Sequence, residues 1–180
     1  MTTPAGHALM GLAVFLATPG GGRRRGLILL GLLLAAALAP DVDLFPLLWG
    51  DLDAANQLHQ GITHSLLLAG AAAALLTLAA SALGCGSPLR LLPFFLASAW
   101  SHLLLDLLTG DSREPIGIPL LWPFSGAHFS SPVSIFGGVI KGRFEHLLSW
   151  HNLTVVAGEL LVLVPLVAAL WLLRLRRAGD

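Results

Sequence analysis

The chain has 180 residues, 56% of them hydrophobic and 11% charged, with a mean hydropathy of +0.81, a balance outside the soluble range and typical of membrane proteins. Its 10 basic and 10 acidic residues cancel, so no basic stripe is available for nucleic acid. The lone cysteine, Cys85, cannot form an internal disulfide, and the N-terminus lacks the basic n-region of a cleaved signal peptide.

In chain order, Pro4 opens a first apolar helix of about 15 residues, with His7 in its first turn, that ends at Pro19-Gly20-Gly21-Gly22. After Arg23-Arg24-Arg25, residues 26–39 make a second helix, stopped by Pro40 and followed by Asp41-Val42-Asp43. Both are short for a membrane. Residues 44–61 mix Pro46, Trp49, Asp51, Asp53 and Asn56 with leucines and read as an interfacial connection. Thr63 is the expected N-cap of a third helix over 64–83, long enough to span, and residues 89–108 make a fourth that carries His102 and Asp106. The proline-rich stretch of about 110–151 reads as a partly helical external loop, and residues 152–173 as a fifth helix with Arg174, Arg176 and Arg177 behind it. The expectation is one membrane domain, 1–180, all-α, with about five transmembrane helices.

Five spans place Arg23, Arg24, Arg25, Arg90, Arg174, Arg176 and Arg177 on one side and Arg113, Lys141 and Arg143 on the other. Seven bases against three make the first side cytoplasmic, the N-terminus outside and the C-terminus inside. Trp49, Trp122 and Trp150 then anchor the outer interface and Trp171 the inner one. The same topology carries His7, Asp41, Asp43, His59, His64, His102 and Asp106 toward the outer side, with His7 and His102 both ~18 Å above the cytoplasmic helix ends at ~1.5 Å per residue.

Ionisable groups in apolar helices are costly and need a partner. His102 and Asp106, four apart, project from one helix face. Asp41 and Asp43, two apart after a helix end, can turn both carboxylates to one side of an extended turn. His59 precedes the third helix and His64 starts it. A mixed histidine and carboxylate set suits zinc, manganese or iron better than magnesium or calcium, and the number of candidate ligands allows one or two ions. Read singly, His7 is an interfacial or capping residue as readily as a ligand, and Asp41 and Asp43 are ordinary turn acids as readily as metal ligands. His102 with Asp106 can equally be a buried pair without metal. Their common side and depth favour a shared site. Glu159, two turns inside the fifth helix, is expected to act in or support that site, while His128 and His146 read as loop residues.

The motifs Gly6-His7, Pro40-Asp41-Val42-Asp43, His59-Gln60-Gly61-Ile62-Thr63-His64-Ser65, His102 to Asp106 and Gly117-Ile118-Pro119-Leu120-Leu121-Trp122-Pro123 resemble those of the bacterial LexA-regulated, inner-membrane metal-dependent hydrolases. The order histidine, Pro-Asp, paired histidines, then histidine four before aspartate is also remotely similar to zinc-dependent phospholipase C. The resemblance implies that His7, Asp41, Asp43, His59, His64, His102 and Asp106 are metal-site residues. Members of the family often carry arginine where this chain has Gln60, so a role in holding an anionic group is either absent or filled by Arg113, Lys141 or Arg143.

These observations lead to the expectation of an inner-membrane hydrolase of an ester or phosphoester in a lipid-like substrate, using water activated by a divalent transition metal, zinc first. Asp43 and Glu159 are the candidate general bases, and Trp122 and Arg113 the candidate substrate contacts. The competing expectations are a metal-ion or proton transporter or sensor, and a non-catalytic membrane protein. A transporter should continue its polar residues toward the cytoplasmic side, where the helices are instead apolar.

Overall fold

The computed structural model describes residues 1–19, 21–111 and 114–179, so Arg113 lies outside the described residues. It is all-helical. Helix α1 (Pro4–Ala17) has Pro at its start and Thr3 as N-cap, whose hydroxyl accepts from the Gly6 N–H. Helix α2 (Arg23–Leu38) does not stop dead at Pro40: the chain continues as a 3-10 helix over Ala39–Trp49. Pro40 and Pro46 have no N–H for an α-helical ladder, and the looser 3-10 turns accommodate both. The stretch read as an interfacial connection is therefore largely helical, because Asp51 then caps a short α3 (Leu52–Leu58).

A second 3-10 turn, Ile62–His64, precedes α4 (Leu66–Ala82). The cap of α4 is Ser65, whose hydroxyl accepts from Leu68 N–H, and not Thr63 as the sequence indicates. Then come α5 (Pro88–Leu107), the four-residue α6 (Phe144–Leu147) and α7 (Trp150–Gly179). The long helices α1, α2, α4, α5 and α7 are the five expected. Among the described residues, three stretches are long and apolar enough to cross a membrane, Arg23–Trp49, Pro88–Leu107 and Trp150–Arg176, with a fourth if Leu52–His64 and Leu66–Ala82, bent by 80°, count as one broken span. The 14 residues of α1 reach only ~21 Å against a hydrocarbon core of ~30 Å.

Helix α5 packs against α1, α2 and α4, and α1 also packs against α2 and α7. Lipid is as apolar as leucine, so close contact rather than water exclusion holds such helices together. The buried positions are accordingly small where axes approach, at Ala36, Ala69, Ala73, Ala80 and Ala99, and are filled by Leu29, Leu33, Phe95 and Leu103 elsewhere. At Gly11 of α1 an added Cβ would lie 3.0 Å from Ala37 Cβ and 3.2 Å from Leu33 O, so glycine sets the distance between α1 and α2. In contrast α7 leaves Leu161, Val162, Trp171, Leu172 and Leu173 exposed, a continuous apolar face far beyond the patches a water-soluble monomer carries.

The segment after α5 is mostly irregular, as expected. It is fastened to the end of α5 by Gly110 N–H to Phe136 O and Ile135 N–H to Leu108 O. At the other end the Asn152 side chain accepts from Ile140 N–H and donates to the carbonyls of Ile140 and His146. The two ends of the bundle differ in chemistry. Arg174 donates to Phe15 O and lies over the Phe15 ring, while Arg23, Arg24 and Arg25 line a cavity with Leu83 and Gly84 of the turn between α4 and α5. The histidines and acids gather at the opposite end.

Candidate metal centre

Four elements converge on the cluster. Near the C-terminal end of α2 the Ala37 carbonyl faces α5, and His102 Nδ1 donates to it at 2.7 Å. Because a carbonyl only accepts, the proton of a neutral His102 sits on Nδ1 and Nε2 presents a lone pair. One turn on along α5, Asp106 lies on the same face. The Ile62–His64 turn sets His64 Nδ1 3.2 Å from the Thr63 hydroxyl, which spends its own proton on Asp43 Oδ2 and so accepts from Nδ1, and the His64 Nε2 of a neutral ring is likewise a lone pair directed inward. Asp41 comes from the first turn of the long 3-10 helix.

His64 Nε2 and His102 Nε2 are 3.2 Å apart. Asp41 Oδ1 is 3.7 Å from the first and 3.4 Å from the second, and Asp106 Oδ2 is 3.4 and 3.5 Å from them. Four acceptor atoms thus surround one point. Neither oxygen of Asp41, nor Asp106 Oδ2, has a hydrogen bond although all are buried. Buried polar atoms are ordinarily paired, and lone pairs aimed at one another repel. A cation at the centre satisfies all four. A tetrahedron with bonds of ~2.0–2.2 Å has edges of about 3.3–3.6 Å, and the five separations above, 3.2–3.7 Å, lie within 0.1 Å of that range.

The other expected ligands flank this set. His7 is fully buried and stacks on His102 with ring centroids 3.5 Å apart, its Nε2 3.6 Å from Asp106 Oδ1 and neither nitrogen hydrogen-bonded. His59 Nδ1 donates to Asp43 Oδ1 at 2.8 Å and is 3.8 Å from Asp41 Oδ1. Among the described residues, two separate groups could each hold an ion by proximity alone: His7, His102 and Asp106, and Asp41, His59 and His64. Asp41 and Asp43 do face the same cluster, through a helical turn rather than the extended one expected.

Asp43 does something different from Asp41. Its Oδ1 accepts from His59 and its Oδ2 from the Thr63 hydroxyl at 2.7 Å, so both oxygens are engaged in holding the two histidines. Thr63, read as a cap, is a partner of Asp43. Glu159 is buried but outside the cluster, with both oxygens accepting from Thr3. Trp122 lines an apolar groove with Leu66, Leu67, Leu120, Leu121 and Phe124, beyond the start of α4 rather than beside the ligands.

The approach to the cluster runs past His59. A cavity of about 560 Å³ is lined by His59, Gln60, Gly61, Asn56, Gln57 and His128 among others. A second, of about 650 Å³, shares Asn56 and Gln60 with it and adds Met1, Asp111 and Lys141. Of the three cations considered for an anionic group, Lys141 lines this space, and the exposed Arg143 pairs with Glu145 at 3.6 Å. The residues missed from sequence were Thr2 and Thr3, whose amides meet the Asp106 and Glu159 carboxylates, and Thr109, whose hydroxyl accepts from that of Thr2. Threonines near a chain start carry no spacing signal that marks such pairing.

Compared with known proteins, residues 1–177 match the model of the YdjM inner membrane protein family. No curated protein and no solved structure gives a significant match.

Proposed function

The chain belongs to the YdjM inner membrane protein family, and from that premise we propose that it is a membrane-embedded metal-dependent hydrolase of an ester or phosphoester in a lipid-like substrate. The observation that carries the reading is the gathering of His64 Nε2, His102 Nε2, Asp41 Oδ1 and Asp106 Oδ2, with both carboxylate oxygens 3.4–3.7 Å from both nitrogens. Two imidazoles and two carboxylates at these separations suit zinc, with manganese or iron(II) as the other ions of like preference. His7, stacked on His102 with neither nitrogen hydrogen-bonded, offers a neighbouring ligand for a second ion.

A divalent ion held by His64, His102 and Asp106, with Asp41 yielding a coordination position, would supply a Lewis acid that makes water a nucleophile near neutral pH. The chain's own groups do the rest. Asp43 orients the His59 and His64 rings, and the Ala37 carbonyl orients His102. Asp41 is the least buried ligand, and its Oδ2 has no hydrogen bond, so it is the group placed to take a proton from water. Asp43 and Glu159, both with their oxygens engaged, serve as supports. Gln60, Asn56 and Lys141 line the approach and supply donors and a positive charge to an ester or phosphate headgroup. The exposed apolar flanks keep the acyl part in lipid.

Between the cluster and the arginine end the interior is filled by Leu29, Leu33, Ala73, Ala80, Leu91 and Phe95, and the hydroxyls of Thr77 and Ser98 are spent on Ala73 O and Leu33 O. That dry stretch argues against a conducting path. The site is proposed to face the outer side, and the motif resemblance to LexA-regulated metal-dependent hydrolases supports the hydrolase reading. The test is metal analysis of the detergent-purified chain. About one or two equivalents of zinc, manganese or iron, lost in His64→Ala, is expected; no transition metal, or metal unchanged by the substitution, overturns the reading.

A further inference from the structure

Glu159 is the one acid of α7, 1% exposed in a helix that is otherwise apolar through the bilayer. A carboxylate there is tolerated only with strong partners. Both partners come from one residue at the other end of the chain: Thr3 donates its N–H to Oε1 at 2.7 Å and its hydroxyl to Oε2. The preceding residue, Thr2, is fully buried, and its N–H donates to Asp106 Oδ1 at 2.9 Å. Its hydroxyl donates to Thr109 Oγ1 at 2.7 Å, since the Thr109 hydroxyl is itself committed to Leu105 O.

The consequence lies at Asp106. With Oδ1 held by Thr2, the carboxylate has one rotation left, in which Oδ2 meets His64 Nε2 and His102 Nε2 at 3.4 and 3.5 Å. We propose that Glu159 and Thr3 are positioning residues of the metal centre: by fixing the first residues of the chain, they hold the Thr2 N–H that selects which oxygen of Asp106 faces the ion. This rests on the metal reading above. Gly6 belongs to the same device. A Cβ there would lie 2.7 Å from Glu159 Oε2 and 2.6 Å from Thr2 Cγ2, so only glycine lets α1 approach α7 closely enough for the contact.

A fastening role alone would need Glu159 and Thr3 but not a hydrogen bond from the adjacent residue to a ligand. Partners that orient ligand carboxylates typically carry about 10–100-fold in metal affinity. The experiment is cobalt(II) titration of the metal-stripped full chain in detergent, read by the visible d–d bands, with circular dichroism to confirm folding. Thr3→Val and Glu159→Gln are expected to weaken cobalt binding about 10–100-fold and to shift the bands, and Thr3→Ser to restore both. Gly6→Ala is expected to mimic Thr3→Val. Wild-type affinity and bands in folded Thr3→Val overturn the inference while leaving the metal reading intact, and this variant decides if Glu159→Gln fails to fold. A wild-type chain that takes up no cobalt overturns both.

Discussion

His64 Nε2 and His102 Nε2 face each other at 3.2 Å, each ring turned by an acceptor behind it, the Asp43-held Thr63 hydroxyl for His64 and the Ala37 carbonyl for His102. The carbonyl belongs to the backbone, whereas the Asp43 carboxylate can be altered. Asp43→Asn keeps the shape but replaces one acceptor oxygen with an NH₂ donor. Metal affinity is expected to fall about 10–100-fold, because the ring loses both orientation and basicity. His64→Ala, which removes a ligand, is expected to abolish stoichiometric binding. Metal retained after dialysis against graded chelator distinguishes the two, and equal retention by Asp43→Asn and wild type contradicts the ring-holding role.

Removing the ion should also loosen the fold. Without it, two lone pairs and two carboxylate oxygens face one another in a buried space, and the apo state is the one penalised. An ion present at ~100 times its Kd contributes about 2.7 kcal/mol, which corresponds to roughly 5–10 °C in Tm for a chain of this size. Thermal scans of detergent-solubilised protein with and without chelator measure it. Asp106→Asn should show a much smaller chelator effect, since its site is already impaired. A Tm insensitive to chelator in the wild type would speak against a structural contribution of the ion.

How much of this was legible depended on sequence distance. His102 and Asp106 declare themselves, because four residues on a helix is one face and a membrane helix rarely carries both for nothing. His7, Asp41, His59 and His64 stand out for the same reason, as polar groups at the ends of apolar runs. The local geometry was less readable. Pro40 looked like a stop, yet a proline near the start of a 3-10 helix forfeits an N–H that has no partner there anyway, so the chain keeps turning and carries Asp41 and Asp43 inward. Thr63 and Ser65 are both good caps, and only the Asp43 carboxylate, 20 residues away, claims the first and leaves the second to α4. The pairing of Thr3 with Glu159 spans 156 residues, and no local pattern encodes it.

Close approach of α1 and α2 also bears on the site. The Ala37 side chain touches the position where a Gly11 Cβ would stand, and the Ala37 carbonyl orients His102. Gly11→Val should therefore push α1 off α2 at a cost of about 1–3 kcal/mol and displace that carbonyl. The expected outcome is a lowered Tm together with weaker metal binding. Gly31→Val in the same α2, where an added Cβ meets nothing within 4 Å, serves as the control and should change neither. Loss of stability with unaltered metal affinity in Gly11→Val would show that the α1–α2 distance and the His102 ring are independent.

The orientation in the membrane rests on the arginines. Arg23, Arg24 and Arg25 share a cavity with the α4–α5 turn, and Arg174 reaches the end of α1, so these four arginines form one cap opposite the histidine cluster. Juxtamembrane arginines are retained on the cytoplasmic side. The metal centre and the segment after α5 should then lie outside. Cys85 is buried, and replacing it by serine gives a cysteine-free background. In that background Ala127→Cys and Ser87→Cys place single thiols at exposed positions of the two ends. A membrane-impermeant maleimide applied to spheroplasts is expected to label position 127 and spare position 87 until the membrane is permeabilised. The reverse pattern would put the centre on the cytoplasmic side, and with it the leaflet from which a lipid-like substrate is drawn.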